Sequence, residues 1–116
     1  MKITFAAEAA PAKDAAVIRF VPRDQRAKLQ PPVSEEEFSG KANALLYSRH
    51  DGTLCVGLGE RAKIDAHTLR SAAGAAAMFL KKIGRTRVIV QLADWPQFAA
   101  AVVEGLVLAD YRFERF

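Results

Sequence analysis

The sequence predicts an α/β domain built around a mixed sheet. Three observations carry that expectation. In the second half of the chain, β-branched apolar runs alternate with two long stretches whose apolar residues recur at helical spacing, the order of a layered fold. An Asp51-Gly52 pair stands between two strand-like runs, a hairpin signal that brings an antiparallel strand into the sheet. With 116 residues, the chain has the length of one domain and not two, so residues 1–116 are expected to fold as a single unit.

The elements follow in order. Residues 2–6 alternate polar and apolar, as an opening strand does, and residues 7–14 read as an alanine-rich loop. Residues 15–21 are β-branched and aromatic, with Pro22 ending the strand because it has no N–H to donate. The polar middle begins with one or two helical turns over residues 24–29. Pro31-Pro32 then stops any helix. Ser34 and Glu37 have capping-box spacing, but Gly40 follows at once and keeps any helix there short. Residues 44–49 and 53–58 are the hairpin strands, and both residues of Asp51-Gly52 tolerate positive φ. Residues 65–83 are the clearest helix, with Asp65 as cap and Gly84 as stop. Its apolar face is read from Leu69, Ala73, Ala76, Leu80 and Ile83. Residues 87–92 form an interior strand. Trp95-Pro96, with Asp94 near its free N–H groups, opens a last helix running to about Ala109, whose face includes Phe98, Ala101, Val102, Gly105, Leu106 and Leu108.

Composition narrows function mainly by exclusion. The formal charge is +4, from 17 basic against 13 acidic residues interspersed along the chain, and no basic cluster marks a nucleic-acid face. No apolar run approaches the roughly 18 residues a membrane span needs, and the first residues are too polar for a signal peptide, so no membrane partner is expected. Cys55 is the single cysteine; it sits in an apolar strand and reads as a buried small hydrophobe in a cytoplasmic protein.

Few residues suggest chemistry. Val56-Gly57-Leu58-Gly59 follows a strand and could cradle a phosphate, but the third glycine of a dinucleotide fingerprint is missing, so Gly57 and Gly59, like Gly40, read as structural turn glycines. His50 and His67 lack partners at metal-ligand spacing. Ser34, Ser39, Ser48 and Ser71 lie in no nucleophile elbow. The closing Tyr111-Arg112-Phe113-Glu114-Arg115-Phe116 places aromatics and arginines directly after a helix, residue types enriched in interface cores. Tyr111, Arg112 and Phe113 are therefore the candidate interface segment, and the abrupt aromatic end suggests a chain that continues past Phe116.

Five runs, taken together, resemble the N-terminal domain of the leucyl aminopeptidase (cytosol aminopeptidase) family. They are Phe38-Ser39-Gly40-Lys41, Val56-Gly57-Leu58-Gly59, Leu69-Arg70-Ser71-Ala72-Ala73-Gly74, Glu104-Gly105-Leu106-Val107-Leu108 and Tyr111-Arg112-Phe113. The segment between Pro22 and Phe38 is shorter than the family pattern. The resemblance implies a three-layer α/β/α fold similar to macro domains. It also implies a separate catalytic domain downstream of residue 116, a two-metal aminopeptidase using zinc or manganese, assembled as a homo-hexamer. The family's metal-binding motifs, Asp-Ser-Gly-Gly and Asn-Thr-Asp-Ala-Glu-Gly-Arg, do not occur here, so no catalytic, cofactor or metal residue carries over. Three roles then stand open: packing on the catalytic domain and neighbouring subunits with an effect on active-site access, DNA binding as in some bacterial members, and ADP-ribose binding as in macro domains.

Overall fold

The computed structural model describes residues 2–6, 15–29, 34, 36–85, 87–92 and 94–115. The expected loop at 7–14 and the Pro31-Pro32 stop lie outside these residues. Five strands form one sheet: β1 (Lys2–Ala6), β2 (Ala15–Pro22), β3 (Leu45–Ser48), β4 (Thr53–Gly59) and β5 (Arg87–Gln91). Their order is β1-β5-β2-β4-β3, parallel throughout except for the antiparallel edge strand β3. The sheet is thus mixed, as the hairpin signal predicts.

Central position explains strand composition. β2 lies in the middle, and its Ala-Ala-Val-Ile-Arg-Phe-Val-Pro run is buried at every residue but Arg19. A strand covered on both faces needs such a near-continuous apolar run. One face of the sheet meets α1 (Ala66–Lys82) and α2 (Ala99–Arg115). Ile18, Phe20, Leu54, Val56, Val88 and Val90 form a single cluster there with Leu69, Leu80, Val102 and Leu106. Each such side chain contributes roughly 1.5–3 kcal/mol by leaving water, so this face is the main source of stability.

The opposite face is covered more thinly. A 3-10 helix (Arg23–Lys28) follows β2, and Leu29 and Phe38 close over Val21, with Ala44, Leu46 and Cys55 half-buried around them. Among the described residues this second layer contains no α-helix. Ser34 and Glu37 do make the reciprocal capping-box bonds: the Glu37 N–H donates to Ser34 Oγ at 3.1 Å and the Ser34 N–H to Glu37 Oε1 at 3.3 Å. They stabilise only a turn, because Phe38 drops into the core and Gly40 takes φ +78°, outside the helical region. Cys55 is half-buried rather than fully buried, because it points to this thinner layer.

The ends of α1 match the residues chosen to make them. Asp65 Oδ1 accepts the Thr68 N–H at 2.9 Å, and Thr68 Oγ1 accepts the Asp65 N–H at 3.3 Å. At the other end Gly84 has φ +79°; its N–H donates to the Lys81 carbonyl and the Arg85 N–H to the Leu80 carbonyl, the paired bonds that close a glycine-ended helix. In the β3–β4 turn only Gly52 takes positive φ, at +70°, while Asp51 accepts the Thr53 N–H instead. The last helix enters through a 3-10 turn (Pro96–Phe98) beside the buried Trp95, with no side-chain cap from Asp94. It continues past Ala109 to Arg115, since nothing after Ala109 breaks it. Among the described residues no helix is long and apolar enough to cross a membrane.

Candidate interdomain surface

Two features organise the surface around β4, α1 and α2. The first is the strap over residues 40–44. Gly57 lies within β4, not in a turn. Its N–H donates to the Ala44 carbonyl at 2.8 Å and its carbonyl accepts the Asn43 N–H at 2.8 Å, while the Gly59 N–H donates to the Gly40 carbonyl at 3.0 Å. A Cβ on Gly57 would stand 2.0 Å from the Lys41 carbonyl oxygen, so backbone passes directly against backbone. Gly40 and Gly59 both take positive φ, at 78° and 79°. The amides that would hold a phosphate in a Gly57/Gly59 cradle are thus engaged by the strap. Asn43 sits at its corner with φ 64°, a region asparagine tolerates, and its Nδ2 donates to Ser71 Oγ on α1 at 2.9 Å.

The second feature is the contact of α1 with α2. It is made by small residues: Ala73, Ala76 and Ala77 of α1 are fully buried, and a Cβ on Gly105 would lie 2.2 Å from the Arg70 carbonyl oxygen. Two ion pairs flank it. Arg70 Nε meets Glu104 Oε2 at 3.0 Å on the surface, and Lys81 Nζ meets Asp110 Oδ1 at 2.7 Å with both side chains mostly buried. The Lys81 ammonium beside Asp110 holds its carboxyl below the ordinary carboxylate range, against the opposing effect of burial.

Outside this contact α2 presents Val107, Leu108 and Tyr111, each at least half exposed. Residues 107, 108 and 111 lie within one turn of one another and share a face. Leu108 therefore does not belong to the core stripe in which the sequence reading places it; Leu106 is fully buried and Leu108 faces out. Leu108 also lines an open groove of about 610 Å³ between α1 and α2, together with Asn43, Ser71, Gly74, Met78 and Gly105. Tyr111 belongs to the helix rather than to a tail after it, and Arg112 and Phe113 continue the same helix. Sequence reasoning singles out Tyr111, Arg112 and Phe113 but not Val107 and Leu108, which are exposed on the same helix as Tyr111. Their signal was the apolar set 107, 108 and 111, at i, i+1 and i+4, beside the buried set 102, 106 and 109.

Other candidates are dispersed. His50 and His67 are exposed on separate elements, and Ser71 serves Asn43. Among the described residues no three His, Cys, Asp or Glu side chains are grouped to hold a metal ion. Burial pushes the Cys55 thiol up from its ordinary value. At Arg61, Asp24 accepts from the guanidinium at 2.9 Å, and the guanidinium lies 6.0 Å from the Trp95 ring centroid; these contacts tie the 3-10 helix after β2 to the start of α2.

The described residues thus combine a mixed α/β sheet, an engaged glycine strap and an apolar helix face turned to solvent. The model of the cytosol aminopeptidase family's N-terminal domain matches residues 3–116. The chain belongs to that family, as the order of its five short runs predicts. It is 39% identical over 66 residues to a probable cytosol aminopeptidase of Rhodococcus jostii (strain RHA1), a match that covers 57% of this chain and 12% of that protein. A probable cytosol aminopeptidase of Rhodococcus opacus (strain B4) matches to the same extent. One of Microcystis aeruginosa (strain NIES-843 / IAM M-2473) is 36% identical over 92 residues, 72% of this chain and 19% of that protein. The chain thus spans less than a fifth of the length of these relatives. No solved structure matches it.

Proposed function

We propose that this chain is the non-catalytic N-terminal domain of a leucyl aminopeptidase-like metallopeptidase. In this reading it packs on a catalytic domain downstream of residue 116 and on neighbouring subunits of a cytoplasmic homo-hexamer, and so shapes access to the active sites. The likeness to macro domains belongs to the same reading. The observation that carries it is the exposed Val107, Leu108 and Tyr111 face. Three large apolar groups on one helix turn lose hydration cost only when another surface covers them, and α2 is the last element of the domain. Zinc or manganese would be held by the catalytic domain; the described residues of this chain do not provide a ligand set for it.

The test is a peptidase assay of the chain with a leucyl-amide substrate and added manganese or zinc. No turnover is expected. Turnover by this chain alone overturns the assignment.

A further inference from the structure

A second depression, about 530 Å³, is lined by Tyr47, Arg49, Phe79, Ile83 and Arg85. It lies between the edge strand β3 and the C-terminal end of α1. The floor is apolar: the Tyr47 and Phe79 rings meet at 5.5 Å between centroids, tilted by 55°, and Ile83, read from sequence as a core residue, is 41% exposed. Two guanidiniums flank this floor. Arg61, Arg70 and Lys81 each hold a carboxylate, whereas the side chains of Arg49 and Arg85 have no hydrogen-bond or ion-pair partner among the described residues. Among the described residues β3 is paired on one side only, with β4, and ends the sheet.

We propose that this edge docks an extended acidic segment of a partner protein. The segment adds to β3 as a further strand, lays an apolar side chain on Tyr47, Phe79 and Ile83, and sets Asp or Glu carboxylates at Arg49 and Arg85. Each part answers a separate need. A bare strand edge carries a row of hydrogen-bonding groups that an added strand completes, and alternate side chains of that strand reach the adjoining pocket. A guanidinium without an internal partner offers a forked donor that matches a carboxylate.

Charge selects among occupants. Neither sheet edge of this chain offers a carboxylate, since β1 (Lys2–Ala6) carries only Lys2 and β3 (Leu45–Ser48) no charge, so a second copy joined by its edge strand would give Arg49 and Arg85 no acceptor from that strand. A phosphate-rich polymer would leave the apolar floor wet.

The test uses an end-capped, fluorescein-labelled peptide, Asp-Thr-Leu-Thr-Glu, whose Asp, Leu and Glu share one face when extended, titrated with the chain at low salt and at about 0.15 M, with amide NMR on labelled chain. Saturable binding is expected, with shifts confined to residues 45–49 and 79–85. Binding should weaken roughly tenfold for Arg49→Glu or Arg85→Glu and be undetectable for Lys-Thr-Leu-Thr-Lys. Unchanged amide positions in the α1/α2 core verify that each variant folds. Binding that survives both charge reversals, shifts that map elsewhere, or equal competition by tripolyphosphate or duplex DNA overturns the proposal. A concentration-dependent dimer through β3 in place of peptide binding overturns it as well. None of these outcomes bears on the Val107, Leu108 and Tyr111 face, so this inference stands or falls separately from the proposed function.

Discussion

Gly57 shows how much of this fold rests on the absence of one side chain. A strand residue normally points its Cβ into a layer of side chains, but here the main chain of Gly40 and Lys41 fills that space. The nearest atoms are backbone, with the Gly40 carbonyl carbon and oxygen at 2.8 and 2.9 Å in addition to the Lys41 oxygen, so no rotamer change relieves a clash. Gly57→Ala should therefore destabilise the domain by about 3 kcal/mol, at the upper end of overpacking, measured as a lowered denaturant midpoint. Gly84→Ala is the comparison. Its Cβ meets nothing within 4 Å and only the positive φ is strained, so about 1 kcal/mol is expected. Equal losses at the two sites would remove the close-approach account.

Among elements, the α1–α2 contact depends on charge as well as on small residues. Asp110 is held below the ordinary carboxyl value of about 3.9 by Lys81. A carboxyl whose folded pKa is depressed contributes stability that is full above the unfolded value. That stability declines as pH falls below it and is gone beneath the folded value. Stability should thus fall as pH drops below about 4. Asp110→Asn should lose about 2 kcal/mol at neutral pH, between a surface pair and a fully buried one, and show a shallower acid limb. Urea titrations at several pH values read both effects; an unchanged acid limb would assign it to other groups, such as Asp51 and Asp65, whose carboxyls are also held low.

Helix α1 was legible in the sequence because its signals are local: Asp65 at one end, Gly84 at the other, and alanines and leucines between. The hairpin was legible for the same reason. What the sequence left hidden depends on contacts far along the chain. Gly57 looks like any glycine beside Gly59 until the strap at 40–44 is seen against it, although a glycine inside a strand pattern is itself a sign of close backbone approach. Leu106 and Leu108 have the same hydropathy, and only the docking of α2 on α1 buries one and exposes the other. The edge position of β3, which leaves Arg49 beside an apolar floor, follows from a strand order that no local pattern encodes.

In the whole molecule, attachment is uneven. Among the described residues β2 is paired on both sides, with β4 and β5, whereas β1 is paired only with β5. Phe5 of β1 is 42% exposed, so the strand adds little burial to its single row of hydrogen bonds. Amides of β1 should exchange with solvent about tenfold faster than those of β2, or more, in native-state hydrogen exchange. Equal protection across the sheet would mean that it opens only as one unit.

The same pairing sets an order of events during synthesis. Lys2 and Arg87 are neighbours across the sheet, yet 84 residues of chain separate them. At ribosomal speeds of roughly 5–20 residues per second, β1 leaves the tunnel on the order of 4–17 seconds before its partner β5 exists. The rest of the sheet can meet meanwhile, since β2, β3 and β4 are complete by Gly59. β1, made before the other strands of this sheet, is thus the last that can be seated, and a nascent chain must keep Ile3 and Phe5 from other partners until β5 arrives.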